Sequence, residues 1–245
     1  MSIGGMRYRN DGRTPGQMRP VSIQMDVQKW ASASLIYKEG DTHVLCSATV
    51  EDRVPPHLRG KGTGWVTAEY AMLPAATSER MQRESVRGKL GGRTYEIQRL
   101  VGRSLRGVVD TSVMGERTVV IDCDVLQADG GTRCASITAG YIALVLALRK
   151  IKLERAIIGK IAAISVGIVD AAPLLDLEYT EDSGAEVDFN VIGTDDGTYV
   201  ELQGTAEGKP FDRSQMDALL SLADGGLKTL FGIQETVLAG ESGDK

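Results

Sequence analysis

Apolar and polar positions alternate most sharply from Val119 to Leu126. Val119, Ile121, Cys123 and Val125 fall on one face of a strand, and Val120, Asp122, Asp124 and Leu126 on the other. The pattern breaks at Gly130-Gly131, and Thr132 opens a helical run to Leu148. Upstream, Val21–Met25 reads as a strand, and Ser32–Tyr37 with Thr42–Val50 as a hairpin around Lys38–Asp41. Trp65–Leu73 is a further strand. Spacings of three and four among Ile97, Leu100, Val101, Leu105 and Val108 predict a helix over Tyr95–Val109, with Asp110–Glu116 as a connection.

A second block begins after Lys160. Ile161–Val169 is apolar and β-branched, and Leu174–Tyr179 alternates. Asp188–Ile192 and Tyr199–Gln203 flank an Asp195-Asp-Gly turn, a hairpin signal. A helix is expected over Ser214–Gly226, broken at Gly225-Gly226, with a second helical stretch to Leu238. Residues to about Arg19 read as an arm, and residues 239–245 as a disordered tail. The pattern describes an α+β protein of two interlocked βα halves, residues 1–150 and 151–238, with no linker between them.

Composition narrows the class. The chain has 245 residues, 42% of them apolar and 25% charged, enough for a sizeable core. No apolar run approaches the roughly 20 residues that span a bilayer, and Met1–Asn10 lacks the apolar core of a signal peptide. Cys46, Cys123 and Cys134 have no metal-type spacing and read as buried reduced thiols, which points to the cytoplasm.

Net charge is −5, yet Glu79–Arg106 holds eight basic residues against three acids, a net of +5 that leaves −10 for the remainder. That segment is either a cationic surface or a solvated face laced with ion pairs. Arg99, Arg103 and Arg106 fall mostly opposite the apolar face of their helix, and Arg80–Gly92 is expected to be mobile until something binds.

The strand, double glycine and helix start around Gly131-Thr132-Arg133 offer backbone N–H groups at the positive end of a helix dipole, with a hydroxyl and a guanidinium beside them. Such a turn suits an anion of phosphate size; an ordinary βα connection is the bland alternative. Asp176, Glu178, Glu181, Asp182, Glu186 and Asp188 form an acidic cluster without histidine, either surface charge or a set suited to Mg²⁺ or Mn²⁺. His43 and His57 have no triad neighbours, which argues against a Ser/His/Asp or Cys/His enzyme and for a chemistry that needs little protein base, such as phosphoryl transfer.

Several long segments resemble the ribonuclease PH family of phosphorolytic 3′→5′ exoribonucleases. They are Arg9–Arg13 with Arg19-Pro-Val, Gly64–Tyr70 with Met72–Pro74, and Gly91–Thr94 with Glu96–Leu100. Asp122–Arg133, Leu177–Asp188 and Gln203–Gly208 complete the match, which runs in order from about residue 8 to 235. The family often has arginine after Met-Leu-Pro, where this chain has Ala75.

The resemblance implies two βα halves around one site, a homo-hexamer built as a trimer of dimers, and use of inorganic phosphate to release nucleoside diphosphates from tRNA precursors and other RNA 3′ ends. Arg93, Gly131, Thr132 and Arg133 would bind phosphate. Asp182 and Asp188 would be catalytic, holding Mg²⁺ or Mn²⁺ or acting on the leaving oxygen. Arg80 and Arg83 match positions associated with RNA, and Arg99 on the cationic helix face joins them. A ring-forming RNA-binding subunit without turnover and a small-molecule phosphotransferase are the competing classes. The intact Arg93, Arg133, Asp182 and Asp188 argue against the first, and the absence of a nucleotide loop against the second.

Overall fold

A computed structural model describes Ser2–Ile3, Met6–Arg7 and residues 9–240. In chain order the strands are β1 (Ser2–Ile3), β2 (Met6–Arg7), β3 (Val21–Met25), β4 (Ala33–Glu39), β5 (Thr42–Glu51) and β6 (Trp65–Met72). Helices α1 (Glu84–Arg87), α2 (Gly92–Arg106) and α3 (Thr111–Met114) follow, then β7 (Thr118–Gln127) and α4 (Thr132–Lys150). The remainder is β8 (Ile161–Val169), β9 (Ala172–Leu175), α5 (Tyr179–Asp182), β10 (Val187–Thr194), β11 (Tyr199–Ala206) and α6 (Arg213–Gly240).

Two sheets carry the fold, one in the order β3-β4-β5-β7-β6 and one in the order β11-β10-β8-β9. Helix α4 lies between them. It is apolar all round and buried from Cys134 to Val145, as a helix with sheets on two sides must be. Val119, Ile121, Cys123 and Val125 of β7 face it in the larger core, as the alternation requires. Strand β8 is buried on both faces: Ile161 and Ala163 join the α4 core, while Ala162, Ile164, Val166 and Ile168 pack with Leu219, Ala223, Leu227 and Leu230 of α6. The layers therefore run sheet, α2 with α4, sheet, α6.

Several expectations are corrected. Gly225-Gly226 does not break the last helix: a Cβ on Gly226 would lie 2.7 Å from Ile164 Cδ1, so the glycine is where α6 closes on β8. Ala239 and Gly240 are still helical; residues 241–245, expected to be disordered, lie outside the described residues. Helix α2 starts at Gly92 and ends at Arg106, and Asp110–Glu116 contains α3, capped by the Asp110 side chain. The alternating stretch from Leu174 stops as a strand at Leu175, because Asp176 turns left-handed (φ 54°) and Tyr179 begins α5. Within Arg80–Gly92 the Glu84 carboxylate accepts from Gly91 N–H at 3.0 Å and from the Thr94 hydroxyl at 2.8 Å, folding α1 back on the start of α2. The segment before Arg19 is more than an arm, since Arg9, Arg13 and Arg19 are buried.

Candidate active site

The turn that joins β7 to α4 is fastened to both halves of the molecule. Gly130 and Gly131 take φ of 74° and 66°, a conformation that favours glycine. A Cβ on Gly130 would lie 2.4 Å from the Leu177 carbonyl oxygen, so backbone touches backbone across the halves. The Thr42 hydroxyl donates to the Gly130 carbonyl at 2.6 Å and accepts from Asp129 N–H at 3.0 Å. Arg19 donates to the Asp129 carbonyl, and Tyr179 N–H donates to the Asp129 carboxylate at 3.1 Å. That last bond anchors the start of α5, whose final residue is Asp182.

Gly131 is the N-cap of α4, and no side chain caps it. The N–H groups of its first turn lack intrahelical partners and carry the positive end of the dipole. Thr132 is buried, its hydroxyl 3.0 Å from the Tyr70 phenol oxygen. Arg133 donates to Gln203 Oε1 and lies 3.4 Å from Glu96 Oε1, while Gln203 Nε2 donates to the same Glu96 oxygen at 2.9 Å. Its guanidinium is thus held in one orientation by side chains from α2 and β11. Arg93, exposed in the first turn of α2, lines a cavity of about 1020 Å³ together with Tyr70 and Arg83.

Asp182 and Asp188 approach the same place from α5 and β10. Burial raises the Asp182 carboxyl, against the pull of Arg93, Arg133 and Arg19. Burial and then the charge of Asp182 push Asp188 up to about 6, with Arg133 and Arg93 opposing. The two arginines and two carboxylates therefore share one electrostatic neighbourhood. Asn190, two positions along β10, accepts from the Cys134 thiol at 3.2 Å and turns its amide nitrogen to Asp188 Oδ1 at 3.4 Å. The thiol is pushed up by burial and stays protonated, a donor and not a nucleophile.

The six-member acidic cluster does not hold together. Asp176 is buried against Arg19, with Arg19 Nη2 2.6 Å from Asp176 Oδ1. Glu181 is buried against Arg9, whose Nε lies 2.6 Å from Glu181 Oε1, and Glu186 accepts from Ala171 N–H. Asp176 and Glu181 neutralise arginines of residues 9–19, and Glu178 accepts from the Thr180 hydroxyl at 2.7 Å. Asp182 and Asp188 remain, and no group of three or more histidines, cysteines or acids that could hold a metal occurs among the described residues. Two half-buried carboxylates whose ionisation is disfavoured by burial nonetheless fit Mg²⁺ or Mn²⁺. Mg²⁺ keeps several waters and is commonly bound by one or two carboxylates plus substrate phosphate.

The cationic segment is divided. Arg106 stacks on Trp65 at 4.1 Å and donates to the Val66 carbonyl, and Arg103 pairs with Glu201, so both are structural. Arg80, Arg83 and Arg99 are exposed, with Arg99 5.9 Å from the Tyr95 ring. Of these three, Arg83 shares the cavity with Arg93. Sequence reasoning left Arg9, Arg13, Arg19, Thr42, Asp129, Tyr70, Gln203 and Asn190 without roles. The repeated arginines before residue 20, facing a surplus of acids near 180, were the available signal.

Comparison with known proteins identifies the family. Residues 17–150 match the model of the 3′ exoribonuclease family, domain 1, and residues 159–226 that of domain 2. The chain is 56% identical over 236 residues to the ribonuclease PH of Syntrophomonas wolfei, covering 94% of this chain and 98% of that protein. Among solved structures, the fold is similar to rice (Oryza sativa) Rrp46, with a TM-score of 0.74, 19% identity and coverage of 94% and 100%. It is also similar to the Archaeoglobus fulgidus exosome with RNA bound to the active site, with a TM-score of 0.76, 22% identity and coverage of 92% of each chain. With both family domains matched in order and a relative of that identity along nearly its whole length, the chain belongs to the 3′ exoribonuclease family, in its ribonuclease PH branch.

Proposed function

We propose that this protein trims RNA 3′ ends, tRNA precursors among them, by phosphorolysis, releasing nucleoside diphosphates. The carrying observation is the meeting of Arg93, Arg133 and the uncapped start of α4 with the Asp182–Asp188 pair. The cations and N–H groups hold inorganic phosphate, and the carboxylates stand where the 3′-terminal linkage would break.

Phosphate is already anionic at neutral pH and needs no histidine to activate it. The obstacle is repulsion from the RNA backbone, which Arg93 and Arg133 offset. A phosphate oxygen bonds to the terminal phosphorus as the bond from that phosphorus to the preceding 3′-oxygen breaks. The 3′-oxygen leaves as a hydroxyl carrying the proton that the phosphate brought. One phosphate ester is exchanged for another, so the reaction is reversible. Asp182 and Asp188 would hold Mg²⁺ or Mn²⁺, which when bound supplies neutralisation of charge on the departing oxygen. Arg80, Arg83 and Arg99 contact the RNA backbone. The working form is a cytoplasmic homo-hexamer, a trimer of dimers, each chain acting as one unit of two halves (residues 1–150 and 151–238). The family's resemblance in sequence and the three reduced thiols support this reading.

The test is a tRNA with a 3′ extension, incubated with protein and Mg²⁺ with and without phosphate. Shortening only with phosphate, with nucleoside diphosphates as products, is expected. Monophosphates released without phosphate would make it a hydrolase, and RNA binding without turnover would make it a passive subunit.

A further inference from the structure

Tyr70 and Thr132 stand 62 positions apart and meet hydroxyl to hydroxyl at 3.0 Å. Both are buried, at 3% and 6% exposure. Tyr70 pairs in register with Cys123 on β7, the strand that leads into the glycine turn, so its phenol reaches the head of α4 from the neighbouring strand β6. The phenol is protonated at working pH, since burial raises it. Its proton needs an acceptor, because a buried donor left unmatched bears the full cost of its lost hydration. Thr132 Oγ1, at 3.0 Å, is the oxygen within its reach. A hydroxyl that accepts from Tyr70 keeps its own hydrogen for another partner. Arg93 and Arg133 both act on the Tyr70 phenol, so the pair lies inside the positive field that gathers the anion.

We propose that Tyr70 is a positioning residue for the attacking phosphate: its O–H donates to Thr132 Oγ1 and thereby turns the Thr132 hydroxyl hydrogen toward a phosphate oxygen. This rests on the reading of the α4 turn as the phosphate site. Without the phenol, the threonine hydroxyl rotates among several acceptors, and the anion meets a donor aimed correctly only part of the time.

A double-mutant cycle tests it, read as the phosphate dependence of phosphorolysis. Removing a hydrogen bond to a charged group by Thr132→Val should raise the KM for phosphate about tenfold. Tyr70→Phe should raise it roughly three- to fivefold with kcat within about twofold, because the donor remains and only its aim is lost. The double variant should match Thr132→Val alone, and Thr132→Ser, which keeps the hydroxyl, should remain sensitive to Tyr70→Phe. RNA binding without phosphate should be unmoved throughout.

Additive effects, or a Tyr70→Phe protein whose phosphate KM is unchanged while Thr132→Val raises it, would overturn the inference. A rise with Tyr70→Phe but none with Thr132→Val would place the phenol itself on the phosphate and also overturn it. If neither variant moves the phosphate KM, the phosphate-turn reading of Thr132 fails instead. The rise of each variant's melting temperature with added phosphate, against its own phosphate-free value, gives the same cycle without catalysis.

Discussion

Arg9 and Glu181, 172 positions apart, form a buried two-pronged ion pair, with Arg9 Nε donating to Glu181 Oε1 at 2.6 Å and Arg9 Nη2 to the second oxygen. Arg9 Nη1 also donates to the Leu175 carbonyl at 2.6 Å. The segment before the first large sheet thereby grips the backbone and the short helix that carry Asp182. Losing one partner of a buried pair strands the other charge, so Arg9→Ala should cost about 3–5 kcal/mol. Urea unfolding would show the loss as a lower midpoint, and Glu181→Gln should cost Arg9→Ala protein little more. A full additional loss would mean the two residues are not coupled.

Gly130→Ala should be far more damaging than its size suggests. The added Cβ would sit 2.4 Å from the Leu177 carbonyl at a φ of 74°. Phosphorolysis should fall by at least about a hundredfold, since misplacement of about 1 Å at a reacting site costs on that order. Circular dichroism should still show a folded chain. Activity near the parent's would refute the close contact.

Arg133→Ala should raise the phosphate requirement steeply and leave RNA binding largely intact. Gln203→Ala tests how far the guanidinium depends on its brace, because Arg133 would keep only the longer contact to Glu96 (3.4 Å). A rise in phosphate KM of roughly three- to tenfold is expected. Equal loss of phosphate and RNA affinity in either variant would contradict the assignment.

The Asp188 carboxyl, pushed up to about 6, would link the proposed cation binding to pH. A divalent cation needs the deprotonated form, so Mg²⁺ affinity should be level above about 7 and fall as pH drops through 6. Titration calorimetry across that range reads it directly. Asp188→Asn should remove most of the dependence along with most of the binding.

Glu39, buried beside Asp176 and Arg19, is pushed up to about 8 by burial and then by the Asp176 charge, with Arg19 opposing. Between the ordinary value of 4.5 and 8 the folded chain holds a proton that the unfolded chain releases. Stability from this group is therefore full below 4.5, declines as pH rises to 8, and is flat above. Glu39→Gln should melt at least about 3 °C higher than the parent at pH 9 and close to it at pH 4.5. An equal difference at both pH values would exclude the linkage.

Much of the site lay open in the sequence. The period of two before Gly130, the double glycine and the apolar run after Arg133 are local signals, and β7, its turn and α4 follow them closely. Sorting the acids was beyond reach: whether Asp176 faces water, a cation or an arginine depends on Arg19, 157 positions away, and the surroundings of Asp188 depend on Arg93 and Arg133 of the other half. Arg106 looks like a member of a cationic face until Trp65 is seen beneath it. Gly225-Gly226 reads as a break because glycine commonly ends a helix, and only the neighbouring strand shows the need for closeness.

The contact of Gly130 with Leu177 has a consequence for how such a site can drift over generations. The gap between the glycine turn before α4 and the acid-bearing helix is set by main chain against main chain, with no side chain between them as a spacer. Exchanging residues elsewhere can retune charge or grip, but it cannot widen or narrow that gap by degrees. The spacing is inherited whole or broken.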